Sequence, residues 1–181
     1  MRKWIEITTY LPCPQNCAYC PQKLLNSQYK GKQKLSLVDF KKILKNIPDD
    51  VEIHFSGFSE PAFHPDFESM AISAKETHIV NIYSSVIEGF DDIFTVHNEK
   101  NSVQNPISRA GNNWETETRQ GAQCVRSPSF EQNVMLPNGD VYLCCMDYGL
   151  KHKLGNLFKT NFNNLNRTHS YKLCEKCESF I

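Results

Sequence analysis

Eight cysteines stand at positions 13, 17, 20, 124, 144, 145, 174 and 177, as a tight N-terminal triplet and a dispersed C-terminal set. No other feature narrows the fold and the chemistry as far. In a secreted mini-protein such a count builds disulfides, whereas in a reducing compartment clustered cysteines bind metal or carry redox chemistry. The N-terminus reads Met-Arg-Lys-Trp-Ile-Glu, with charge where a signal sequence is apolar. No apolar run approaches the roughly 18 residues of a membrane span. The expectation is a cytoplasmic protein whose cysteines hold metal.

Composition supports this without adding a partner. A chain of 181 residues is one domain, or one domain with a small appendage. Lys plus Arg and Asp plus Glu are both 20, so nothing favours a polyanion. The dense basic stretch from Lys23 to Lys45 reads as a solvated loop and helix face, and no nucleic-acid partner is expected. With 11 Phe, 7 Tyr and 2 Trp the chain has ample aromatic core and is not a disordered one.

The periodicities place the cysteines. KWIEITTY (3–10) alternates as a strand and runs straight into the first cysteine loop. LSLVDFKKILKNI (35–47) repeats Leu37, Phe40, Ile43, Leu44 and Ile47 at helical steps, with Ser36 as N-cap and Pro48 as stop. VEIHFSG (51–57) is a strand, Pro65 to Glu76 a helix, HIVNIYSS (78–85) a strand and DIFTVH (92–97) a weaker one. Strands alternating with helices predict a parallel sheet with crossovers. Residues 98–122 are polar and aperiodic and read as a loop and linker. Pro137-Asn138-Gly139-Asp140 then divides two short apolar runs as a hairpin turn does, and a short helix is predicted near 160–172.

The first triplet, Cys13-Pro-Gln-Asn-Cys17-Ala-Tyr-Cys20, has the spacing C-x3-C-x2-C. Three thiolates hold three irons of a [4Fe–4S] cube and leave the fourth open to a ligand. On spacing alone, a zinc knuckle with a distant fourth ligand remains open. The segment resembles the signature of the radical S-adenosylmethionine (SAM) superfamily, with Tyr19 at the aromatic position. The resemblance implies that Cys13, Cys17 and Cys20 ligate a cluster whose open iron chelates SAM. One electron then cleaves SAM to methionine and a 5′-deoxyadenosyl radical. Phe55-Ser56-Gly57-Phe58-Ser59-Glu60-Pro61 is similar to the family's "GGEP" segment, with Ser59 in place of a glycine. The resemblance assigns SAM binding to Tyr19, Ser56, Gly57, Ser59 and Glu60, and to Ser84 at the end of the third strand. His64, in His64-Pro65-Asp66, is read as a turn or capping residue.

Cys124, Gly139, Cys144 and Cys174-x-x-Cys177 form the pattern C-x14-G-x4-C…C-x2-C. The spacing alone fits a structural zinc ribbon as well as a cluster. The pattern resembles the auxiliary-cluster domain known as SPASM in its shortened "twitch" form, which implies a second [4Fe–4S] cluster on Cys124, Cys144, Cys174 and Cys177. Cys145 is read as packing. Ser108-Arg109-Ala110-Gly111 resembles a stretch that precedes such domains, and Arg109 is a candidate for the SAM carboxylate.

The expected architecture is α/β: an abbreviated partial (β/α) barrel of the radical SAM type over residues 1–111, then a small hairpin-containing cluster domain over 112–181. Only 23 residues separate Ser85 from Arg109, so the barrel is short, with four or five strands, and an oligomer could complete it. The resemblance implies a radical SAM oxidoreductase that abstracts hydrogen from a small, sugar-like molecule, with the auxiliary cluster as electron acceptor. The external donor would be a flavodoxin or ferredoxin. A peptide-modifying maturase is the alternative, set second because the radical motif begins at residue 13 without a preceding peptide-binding module. A non-catalytic iron–sulfur or zinc interaction protein is the other. No catalytic residue is singled out by the sequence.

Overall fold

The computed structural model describes residues 2–15, 17, 19–87, 94–98, 107–120, 124, 129–168 and 171–177. Its frame is one seven-stranded sheet in the order β4-β3-β2-β1-β5-β6-β7. The strands are β1 (Lys3–Ile7), β2 (Val51–Phe55), β3 (Val80–Ser84), β4 (Thr95–Asn98), β5 (Gln132–Met135), β6 (Asp140–Tyr142) and β7 (Lys153–Asn156). The first five in the order pair in parallel, and β5-β6-β7 is antiparallel. The sheet is mixed and does not close, as a partial barrel requires.

Alternation along the strands gives the sheet two unlike faces. Ile5, Ile7, Val51, Ile53, Phe55, Val80 and Ile82 turn to one side and form a single apolar cluster with helix α2 (Leu37–Leu44) and helix α3 (Phe67–Lys75). Phe40 and Ile43 of α2 and Met70, Ala71 and Ala74 of α3 are fully buried there. Ser36 caps α2 as its sequence predicts, its hydroxyl accepting the Asp39 amide at 3.1 Å. The opposite face carries Trp4, Glu6, His54 and Tyr83, residues that fit a wet or ligand-bearing surface better than a core.

Three elements depart from the sequence reading. Helix α1 (Gln22–Gln28) follows the cysteine loop directly, anchored by buried Leu25. It was unreadable because one buried residue in seven makes no periodic stripe. Strand β7 was likewise unpredicted. The helix expected near 160–172 is, among the described residues, only a 3-10 turn at Phe162–Asn164. Asn161 accepts the Asn163 amide at 3.0 Å, the local side-chain bonding by which asparagines compete with helix. The weak strand predicted at 92–97 lies at Thr95–Asn98; residues 92 and 93 fall outside the described part.

The hairpin of β5 and β6 turns at Gly139, which has φ +78 and donates its amide to the Leu136 carbonyl at 2.9 Å. It is joined to the main sheet, because β5 takes the edge of β1 that β2 leaves free. The sheet therefore runs unbroken across residue 111.

Candidate active site

The polar face of the sheet opens into a cavity of about 480 Å³ at the strand ends. Cys13, Cys17 and Cys20 all line it, with Tyr19, Ser56, Gly57, Ser59, Glu60 and Arg109. Ser84 does not line it; the neighbouring Ser85 does.

The cysteine loop is pinned at several points. Gln15 donates to the Ser85 hydroxyl at 2.8 Å and accepts from the Cys17 thiol at 3.4 Å. Gln22 donates its amide to the Phe58 carbonyl at 2.5 Å, and Asn113 donates to the Tyr19 carbonyl at 2.7 Å. Burial pushes the Cys13 thiol up, while backbone groups of Glu60 and Gln15 pull it down. The triplet thus lies against the loop that follows β2. Gly57 makes that closeness possible: it sits at φ +83, and a Cβ there would lie 2.5 Å from Thr8 Oγ1.

Glu60 is buried, and its oxygens are engaged by the protein. Oε1 accepts from the Ser84 hydroxyl at 2.6 Å and, at the long end, from the Ala62 amide at 3.4 Å. Oε2 accepts the Ser85 amide at 2.9 Å and its hydroxyl at 3.0 Å. The carboxylate ties the end of β3 to the loop after β2. Ser84, on the helix side of the sheet, acts through it. His64 caps locally, accepting the Asp66 amide at 3.0 Å.

Residues 108–113 carry Arg109 to the cavity. Arg109, Ala110 and Gly111 have φ of 55, 57 and 78, three left-handed residues in succession. Two of them carry a Cβ, which marks a strained segment. It is held by Asn113, which donates its amide to Ser108 at 2.9 Å, and by the Asn112 side chain, which donates to the Met146 carbonyl at 2.8 Å. The bend sets the Arg109 guanidinium 5.7 Å from the centre of the Tyr19 ring.

Among the described residues, three buried polar atoms on cavity-lining side chains have no hydrogen-bond partner: Gln22 Oε1, Ser59 Oγ and Arg109 Nε. An acceptor, a hydroxyl and a cationic donor left unpaired within one cavity fit a ligand that brings its own ammonium and carboxylate.

The sequence reading missed the floor. Glu6 and Trp4 of β1, His54 of β2 and Tyr83 of β3 line the cavity from below. Burial raises the Glu6 carboxyl, against hydrogen bonds from Cys145 and Ser56 that lower it. Trp4 stacks on His54 with centroids 5.0 Å apart, and Tyr83 stacks on His97 of β4 at 4.3 Å. Beneath them His54 Nε2 lies 3.1 Å from Glu52, and Asn81 donates to Glu52 at 3.2 Å. The available signal was the alternation itself, since the off-core positions of KWIEI and VEIHF are Trp, Glu, Glu and His.

Cys144 and Cys145 face opposite ways. Cys144 packs with Cys124, Cys174, Cys177, Phe130 and Leu143 in a separate cluster. Burial pushes the Cys144 thiol well up and carries the Cys174 thiol to about 12, the nearby Cys124 and Cys177 adding to the latter. The four predicted auxiliary cysteines therefore come together in one apolar setting. Cys145, read as packing, does pack beside Tyr148, and it also lines the cavity with Met146 and Tyr148. Among the described residues no three His, Cys, Asp or Glu side chains converge closely enough for a single metal ion.

Residues 124–178 match the model of SPASM, an iron–sulfur cluster-binding domain. No curated protein matches the chain. Among solved structures, the fold is similar to BtrN in complex with AdoMet and 2-DOIA, at a TM-score of 0.65 and 15% identity over 97% of this chain and 88% of that one. It is also similar to selenomethionine BtrN in an open conformation, at a TM-score of 0.61 and 16% identity over 98% and 92%. The chain shares the fold of BtrN. The segment that matches SPASM supplies one wall of the cavity, through Cys145, Met146 and Tyr148. No described helix is long and apolar enough to cross a membrane.

Proposed function

We propose that this chain is a radical SAM oxidoreductase acting on a small, sugar-like substrate, with a [4Fe–4S] cluster on Cys13, Cys17 and Cys20 and an auxiliary one on Cys124, Cys144, Cys174 and Cys177. The observation that carries the reading is the shared cavity. Cys13, Cys17 and Cys20 line the same 480 Å³ cavity as Gln22, Ser59 and Arg109, each of which has a buried polar atom without a hydrogen-bond partner among the described residues. Cys13, Cys17 and Cys20 would hold the cluster, which would supply the one electron that reductive cleavage of SAM requires. Every other part is the protein's own. Gln22 Oε1 offers an acceptor for the SAM ammonium and Arg109 a donor for its carboxylate. Glu60, occupied by Ser84 and Ser85, shapes the loop around the ammonium rather than presenting a spare oxygen. Trp4, His54 and Tyr83 form an aromatic floor on which a ring can lie, with the Glu6 carboxyl beside it. The paired SPASM cysteines place one thiol toward the auxiliary set and one toward the substrate space.

The neighbour's complex with AdoMet supports the cofactor, and its complex with 2-DOIA supports a small cyclic substrate.

The test is anaerobic reconstitution followed by an assay for 5′-deoxyadenosine from SAM. The expected result is about eight irons per chain, two cubes of four, with formation of 5′-deoxyadenosine. Stoichiometric zinc without iron rejects the reading.

A further inference from the structure

Tyr148 belongs to the SPASM segment, yet its hydroxyl lies 3.5 Å from the Sγ of Cys20 in the N-terminal triplet. A second group reaches the same sulfur: the Gln22 side-chain amide, also at 3.5 Å. We infer that Tyr148 and Gln22 are positioning residues that set the reduction potential of the N-terminal cluster by donating hydrogen bonds to Cys20 Sγ. The inference rests on the reading of Cys20 as a cluster ligand.

The direction of donation follows from the chemistry of a loaded site. A ligating thiolate has no proton to give, so the phenol must donate. Tyr148 is 2% exposed, so its hydroxyl is shielded from bulk water and left facing the sulfur. One-electron reduction adds a negative charge to the cluster and its sulfurs. Donors to a ligand sulfur therefore favour the reduced form and raise the potential.

The geometry is rigid. The Tyr148 ring meets Phe58 edge-on at 4.7 Å, and the Phe58 amide donates to Thr8 Oγ1 at 3.1 Å. The turn that contains Tyr148 is closed by Asp147, whose carboxylate accepts the Lys151 amide at 3.1 Å and the His152 amide at 2.8 Å. Gln22 is held by its bond to the Phe58 carbonyl. Phe58, in the loop after β2, thus orients both donors. The consequence is that the C-terminal segment acts on the electronics of the N-terminal cluster as well as forming a cavity wall.

The experiment is a redox titration of the full reconstituted chain, followed by electron paramagnetic resonance, for wild type, Tyr148→Phe and Gln22→Met. Iron is counted in each, and the N-terminal cluster is recognised as the signal that changes when SAM is added. Tyr148→Phe keeps the ring and removes the donor. Its iron content is expected to be unchanged, while at the wild-type midpoint the ratio of reduced to oxidised N-terminal cluster falls about tenfold, 59 mV for a one-electron couple. Gln22→Met moves the same couple in the same direction, and the auxiliary couple stays in place in both variants. An unmoved midpoint with iron retained overturns the inference, as does an equal shift of both couples or loss of the iron in Tyr148→Phe. The underlying reading fails separately, when the wild-type iron count is the same with and without Cys17→Ala.

Discussion

Glu60 shows how a residue assigned to a ligand can also be a structural tie. Its place in Ser59-Glu60-Pro61 marks it for the SAM ammonium. In the fold its carboxylate is taken by Ser84, Ser85 and the Ala62 amide, contacts that a single local motif does not encode. Glu60→Ala leaves two serine hydroxyls and two backbone amides without their acceptor. Bonds to a charged group contribute about 1.5–3 kcal/mol each, partly offset here by relaxation, so a loss of about 2–3 kcal/mol in unfolding free energy is expected. SAM affinity is expected to fall with it, because the loop that forms the pocket is released. Chemical denaturation and equilibrium SAM binding check the two effects. A variant with unchanged stability and lowered affinity would mean that the carboxylate meets the ligand directly. Gln22 and Tyr148 had no sequence signal, since their roles depend on reaching Cys20 from elements that are distant in the chain or too short to be periodic.

At the scale of elements, β1, β2, β3, α2 and the hairpin were legible because each has a strong period or a turn signal, whereas β7 has neither. The parallel order β4-β3-β2-β1 follows from strands alternating with helices. The junction of β5 with β1 was not legible: QNVM is buried throughout and shows no alternation to assign a face. The sheet's polar face makes a prediction of its own. His54 lies among Trp4, Glu52, Asn81, Tyr83 and His97, and burial depresses its protonation against the opposing pull of Glu52. In the unfolded chain a histidine takes its proton near pH 6.5. Between that pH and the lower folded value the unfolded state holds more protons, so stability falls as pH falls. Burial depresses His64 in the same direction. The midpoint of thermal unfolding is therefore expected to drop from pH 7.5 to 5.5. His54→Gln is expected to be less stable at pH 7.5 but to lose less on acidification. An equal slope in the two proteins would show that His54 does not carry the effect.

At the scale of the whole molecule, two cysteine sets lie at different depths of one continuous sheet. The N-terminal triplet rests on a loop anchored to β1, β2 and β3, strands whose core is complete without the SPASM cysteines. On the proposed reading a metal centre on the auxiliary set holds residues 124–177 together; the described regular structure there is three short strands and two 3-10 turns. Metal binding energy in such a segment is partly folding energy. Cys177→Ala removes one of its four thiolates and is expected to lower the unfolding midpoint and to take away about four irons of a cube. The cavity wall at Cys145–Tyr148 is fixed by the Asp147 turn and by the β5–β1 ladder, neither of which contains Cys177. This variant is therefore expected to keep cleaving SAM in the absence of substrate. Cys17→Ala is expected to behave in the opposite way, losing SAM cleavage while the auxiliary signal and the unfolding midpoint persist. Calorimetry, iron analysis and 5′-deoxyadenosine formation on the two variants decide the matter. A Cys177→Ala protein with wild-type midpoint and iron content would show that Cys177 neither ligates metal nor holds the C-terminal segment in place.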